Sequence, residues 1–176
     1  MKNSGNRSAA RWRLMHILAS YVIALLSSGA QADIVPLALT VSGKIHNTNE
    51  SACHCFLFDK RALQSLPQAE LTTSTPWTES STFRGPRMED VLKHVGAYGT
   101  KIDLVAYDGY VLHDVPIGDI QAFHPLLAYM SNGIYLRLRD MGPLFFVYSR
   151  DNEKDLTKRL DYTTREIRQV KAILVK

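Results

Sequence analysis

The chain is poor in the residues that most simply announce chemistry. Of 176 residues only two are cysteine, Cys53 and Cys55, so there is no four-ligand Cys/His spacing of a structural zinc site. The histidines His46, His54, His94, His113 and His124 show no i, i+4 pairing. No Gly-x-Ser-x-Gly nucleophile elbow or phosphate-binding glycine loop occurs. These absences exclude the simpler hydrolase, nucleotide-binding and zinc classes. Beyond the first 32 residues no stretch is apolar enough to span a bilayer.

The first 32 residues read as a secretory leader rather than as part of a fold. Lys2, Arg7, Arg11 and Arg13 form a basic start, and Leu14 to Leu26 is mostly apolar. Ala30-Gln31-Ala32 is a small-x-small cleavage signal. The expected product is one domain over residues 33–176, delivered to the periplasm. The leader carries four of the 21 Lys and Arg and none of the 17 Asp and Glu, so the net +4 belongs to it. The remaining 17 basic and 17 acidic residues balance, which gives no electrostatic case for nucleic acid or an anionic membrane.

Export makes an oxidising environment, and three readings of Cys53-His54-Cys55 stay open. The pair is either structural (two small residues on a strand, or one tight bridge), a redox pair, or part of a metal site with His46.

Periodicity gives an alternation of strands and short helices. Pro36–Ile45 and Cys55–Phe58 read as strands, and Asp59 caps a short helix that Pro67 ends. Thr-rich Glu70–Thr75 reads as a strand ending at Pro76-Trp77. The clearest helix is expected over Pro86–Val95. Glu89 and Asp90 lie in its first turn, Lys93 and His94 in its last, and Gly96 stops it. Lys101–Tyr107 and Tyr110–Val115 form a hairpin about Asp108-Gly109, and Ile117–Phe123 reads as a turn or short helix. A second hairpin joins Leu126–Met130 to Ile134–Leu138 through Asn132-Gly133. Leu144–Tyr148 is a buried strand, Asn152–Leu160 a short helix and Glu166–Val175 the last strand. The order predicts an α+β domain with a mixed, mainly antiparallel sheet.

This order of blocks resembles the molybdopterin-binding oxidoreductase domain of the sulfite-oxidase fold, found also in periplasmic methionine-sulfoxide reductases. Phe83-Arg84-Gly85-Pro86, the following helix and Gly96-Ala97 are similar to the family's aromatic-x-Gly helix entry. Val115–Ile120, His124–Tyr129, Asn132-Gly133, Gly142-Pro143-Leu144 and Arg165–Ile173 follow in the family's order, from about Val41 to Val175.

The resemblance implies a cofactor groove bordered by Thr75, Trp77, Arg84, Tyr107, Asp108, Tyr110, Arg139, Asp140, Tyr148 and Arg150. Arg84, beside a Gly-Pro helix start, is expected to help hold an anion with free backbone amides. The family's enzymes bind molybdenum through a cysteine thiolate after the strand matched by Leu71–Thr75. This chain has Thr75-Pro76-Trp77 there, and Phe145 where the family has an arginine. A hydroxyl or an indole does not replace a thiolate at such a centre. The implied function is therefore a ligand- or partner-binding protein, with a membrane sensor as one partner. The other readings are a small molybdopterin-dependent oxidoreductase and a structural subunit of a periplasmic redox complex.

Overall fold

Backbone pairing builds a five-stranded sheet in the spatial order β2-β1-β11-β5-β6. Its strands are β1 (Leu39–Gly43), β2 (Phe56–Phe58), β5 (Lys101–Ala106), β6 (Val111–Pro116) and β11 (Val170–Val175). Only the β1–β11 pairing is parallel; the other pairs are antiparallel. A four-stranded antiparallel sheet follows the order β3-β4-β8-β9: Gln68–Thr75, Thr78–Pro86, Met130–Ser131 and Ile134–Tyr135. A two-stranded ribbon pairs β7 (Leu126–Ala128) with β10 (Phe145–Val147). The computed structural model describes residues 36–151 and 165–176. The leader and the expected helix Asn152–Leu160 lie outside them. The α+β, mainly antiparallel class expected from the sequence is the one observed.

Three short helices fill the connections among the described residues: α1 (Lys60–Ser65), α2 (Met88–His94) and α3 (Ile117–Phe123). The Asp59 carboxylate caps α1 by accepting from the Ala62 amide at 2.7 Å. Helix α2 carries Glu89 and Asp90 in its first turn and Lys93 and His94 in its last. Gly96, at φ +61°, closes it: its N–H donates to Lys93, and that of Ala97 to Leu92. The helix starts later than Pro86, because β4 runs on through that residue. Helix α3 ends on His124 in the left-handed region, φ +47°. Among the described residues no helix is long and apolar enough to cross a membrane.

Strand β4, nine residues long, is the main element that periodicity missed. Thr78 to Thr82 are all at least partly exposed, so no alternation marks the strand. Only cross-strand pairing to β3 and β8 defines it. Gly85 lies where β4 passes β7. A Cβ there would stand 2.2 Å from the Leu127 carbonyl oxygen, so no larger residue fits without moving the ribbon. The second expected hairpin is split at Tyr129: β7 pairs with β10, while β8 and β9 turn about Asn132-Gly133 in the other sheet.

Two apolar cores meet at the ribbon. Leu127 and Phe146 point into the larger core with Val41, Phe58, Met88, Val91, Leu104 and Ile173. Leu126, Ala128, Phe145 and Val147 point the other way, into a core with Phe83 and Leu136. Burying each large side chain contributes about 2–3 kcal/mol.

Cys53 and Cys55 are joined by a disulfide. A bridge across one residue restricts the unfolded chain little, by about 1.6 kcal/mol on the chain-entropy estimate against about 3 for a fifteen-residue loop.

The outer face of the five-stranded sheet carries a polar lock. Buried Asp103 accepts from Lys176 Nζ at 2.7 Å, the Asp114 amide at 2.8 Å and His113 Nδ1 at 3.0 Å. Lys176 also reaches Asp114 at 2.6 Å. Burial alone would raise the Asp103 pKa, but Lys176, the Asp114 amide and His113 outweigh it and hold it at about 2. A depressed carboxyl stabilises the fold above its unfolded pKa and loses that stabilisation as pH falls through the folded value. Thermal midpoints of wild type should therefore fall between about pH 4 and pH 2. Asp103→Asn should cost about 2 kcal/mol at pH 7 and flatten that acid limb; an unchanged limb would remove Asp103 as its cause.

Candidate functional site

Strand β3 ends in a turn that its own threonine builds. Thr75 Oγ1 accepts from the amides of Trp77 at 3.1 Å and Thr78 at 3.0 Å, and lies 2.9 Å from Thr78 Oγ1. The turn lifts Trp77 to the surface, where it remains 44% exposed. Its ring meets Phe145 edge-on at 5.9 Å, and the Arg168 guanidinium lies over it at 4.6 Å. Phe145 in turn packs edge-on against Phe83 at 5.4 Å, which ties the exposed indole to the smaller core.

One step back along β3, the buried Thr73 hydroxyl accepts from the amides of Arg150 at 3.0 Å and Asp151 at 3.3 Å. Ser74 donates through its amide and hydroxyl to the Asp151 carboxylate, at 2.6 and 2.7 Å. These two bonds hold Asp151 below the ordinary carboxylate range. The segment after β10 is thus fastened to β3 by four polar contacts from two adjacent small residues.

Behind this clamp lies a buried acid. Glu166 Oε1 is 3.4 Å from the Tyr148 amide, and Oε2 is 4.0 Å from Arg150 Nη1. Oε2 has no hydrogen-bond partner among the described residues. Burial dominates and pushes the Glu166 pKa up to about 7, against the opposing pull of Arg150 and the Tyr148 amide.

Thr75, Trp77, Tyr148 and Arg150 are therefore brought together, with Thr73, Ser74, Phe145, Asp151, Glu166 and Arg168 around them. Of the last group, only Phe145 was singled out from sequence, as the residue where the resembling family has an arginine. Glu166 and Arg168 interrupt the apolar pattern of the expected last strand, and that interruption was the available signal. In the fold they precede β11, with only an isolated bridge between Ile167 and Phe146.

The other six residues lie elsewhere. Arg84 sits in mid-β4 opposite Glu70 and Met130, with an exposed side chain. It does not flank a helix start, so the expected anion site beside free helix amides is not assembled; Arg87 precedes α2, and the Met88 amide is spent on the Pro125 carbonyl. Asp108 accepts from the Tyr110 amide at 2.9 Å and shapes the β5–β6 turn, leaving Tyr110 exposed. Arg139 and Asp140 form a short 3-10 turn with Arg137, whose Nε lies 2.6 Å from Asp140. Tyr107 lines a separate groove of about 600 Å³ with Thr40, Leu57, Asp59 and Lys171. Its phenol is pushed up by burial. Gln169 links these parts, with its carbonyl to the Tyr107 amide and its side-chain amide to the Leu138 carbonyl.

The donor set does not fit a metal–dithiolene centre. No group of three or more His, Cys, Asp or Glu residues gathers among the described residues. Thr75 Oγ1 is committed to its turn, and the two sulfurs are bonded to each other far along the chain, beside β2. Neither cysteine is a thiolate as the chain stands.

Comparison with solved structures places the scaffold. The chain superposes on sulfane dehydrogenase SoxCD from Paracoccus pantotrophus with a TM-score of 0.58 at 14% identity, covering 82% of this chain and 40% of that one. The two share a fold. This chain spans well under half the length of that neighbour. No family profile and no curated protein sequence matches the chain. The arrangement is the sulfite-oxidase-like α+β fold that the order of sequence blocks suggested.

A carboxyl whose folded pKa is raised stabilises the fold most below its unfolded pKa and loses that stabilisation as pH rises through the folded value. The melting midpoint should therefore drop between about pH 5 and pH 8, by on the order of 3 kcal/mol of stability. Glu166→Gln should remove that slope. An E166Q curve parallel to wild type would show that Glu166 does not titrate there.

Proposed function

We propose that this chain is an exported, non-catalytic binding domain on a sulfite-oxidase-like scaffold. Its ligand or partner docks on the face formed by Trp77, Arg168 and Arg150. The observation that carries this reading is the commitment of Thr75. Where the resembling enzymes keep a thiolate for molybdenum, this chain has a hydroxyl spent on closing a turn. What remains there is an exposed indole under a guanidinium, with Arg150 held to the same strand by the Thr73 hydroxyl. Such a surface suits planar or anionic groups, through stacking and charge-assisted hydrogen bonds. The leader supports a periplasmic location, and the internal disulfide agrees with it.

A second reading, a structural subunit of a periplasmic redox complex, draws on the likeness to SoxCD. The two readings predict different purifications. Protein taken from the periplasm should carry far less than one equivalent of molybdenum, and one bound equivalent would defeat the binding-domain reading. A low-molecular-weight periplasmic extract should raise the melting midpoint of wild type but not of Trp77→Ala, since a ligand of the native state adds stability. A stoichiometric partner protein that co-purifies, with no response to the extract, would favour the complex subunit.

A further inference from the structure

The Cys53–Cys55 bridge lies outside the face just described, and stability does not account for it. It spans one residue and so constrains the unfolded chain about half as much as a fifteen-residue loop would. The turn is also held without it. The Cys55 and Glu50 amides each donate to the other's carbonyl at 3.2 Å. The Asn49 side chain clasps Leu57 from both sides, accepting from its amide at 2.7 Å and donating to its carbonyl at 3.0 Å. Backbone and amide bonds thus already fix the approach to β2.

The two cysteines differ in exposure. Cys53 stands in an exposed turn between Ser51 and His54, while Cys55 is wholly buried. That asymmetry is what exchange chemistry uses, because a thiolate must reach one sulfur while the other leaves. No further cysteine exists in the chain to compete for the bridge. We infer that Cys53–Cys55 is a thiol–disulfide exchange site that accepts two electrons from an exposed dithiol on a partner protein. The inference is independent of the binding function proposed above, since the bridge lies in the turn before β2 of the five-stranded sheet, while Trp77 follows β3 of the four-stranded one.

The step balances with that dithiol as reductant. Its first thiolate attacks Cys53 Sγ, forming a mixed disulfide. The Cys53–Cys55 bond breaks, and its electron pair leaves on Cys55 Sγ, which takes a proton. The second thiolate of the partner then attacks the partner's own sulfur in the mixed disulfide. Cys53 leaves as a thiolate and is protonated, and the partner departs as a disulfide. In the bridged form Cys53 Sγ lies 3.8 Å from the Glu50 carbonyl oxygen, an acceptor its thiol can use once reduction gives it a hydrogen. The Cys55 thiol becomes a small buried apolar group. His54, held at φ +49° inside the bridge, is then free to leave the left-handed region.

Alkylation and mass measurement test this on the folded, full-length oxidised protein. Millimolar dithiothreitol should open the bridge, adding two alkyl groups with the circular dichroism spectrum retained. With oxidised glutathione, Cys55→Ser should form a mixed disulfide through Cys53 about 100-fold faster than Cys53→Ser forms one through Cys55, as expected for exposed against buried thiols. The double variant C53S/C55S should fold with its spectrum unchanged. A bridge that opens only on unfolding, equal rates for the two single variants, or a double variant that fails to fold would each overturn the inference.

Discussion

The ribbon of β7 and β10 is the constraint on which the rest depends. Every residue of both strands is buried, Leu126–Ala128 and Phe145–Val147 alike. A two-stranded ribbon is not stable alone in water; it persists here because apolar side chains cover both of its faces. One face completes the core beneath the five-stranded sheet, the other the core under β3 and β4. Neither core closes without it. The absence of a side chain at Gly85, which lets β4 lie against Leu127, belongs to the same requirement.

The polar features follow from where this ribbon ends. Arg150 and Asp151, just past β10, are caught at once by Thr73 and Ser74 of β3. The return into β11 brings Glu166 in behind them and Arg168 over Trp77. The crossing that organises packing therefore also gathers the ionisable groups. A carboxyl that burial keeps protonated to about neutral pH sits there beside an arginine. Perturbed groups of this kind concentrate at functional sites. Next to this cluster the Thr75 hydroxyl is consumed in closing the β3–β4 turn.

Elements with a complete local signal read directly from the chain. The α2 charge pattern with Gly96, the Asp59 cap and the Asp108-Gly109 and Asn132-Gly133 turns all lie where their short-range chemistry put them. Elements whose signal was shared or diluted did not. Strand β4 is wet along its first half, so only its partners reveal it. The run from Leu126 to Met130 looked like one strand, yet the chain changes sheets at Tyr129. Of the ten residues expected around the groove, four gather at the β3–β4 turn. Arg84 is carried away by the same strand that periodicity missed.

The amino-acid order alone determined the α+β class, the Asp59 cap, the Gly96 stop of α2 and the Asp108-Gly109 and Asn132-Gly133 turns; the caps and turns rest on contacts between near neighbours. It also placed two cysteines close enough to bond. Only the tertiary structure decided which face each residue of the ribbon serves, that Glu166 is buried against Arg150, that Arg168 covers Trp77, and that one cysteine of the bridge is exposed while the other is buried. Those are matters of burial and long-range approach, and they depend on segments tens of residues apart that no local pattern relates.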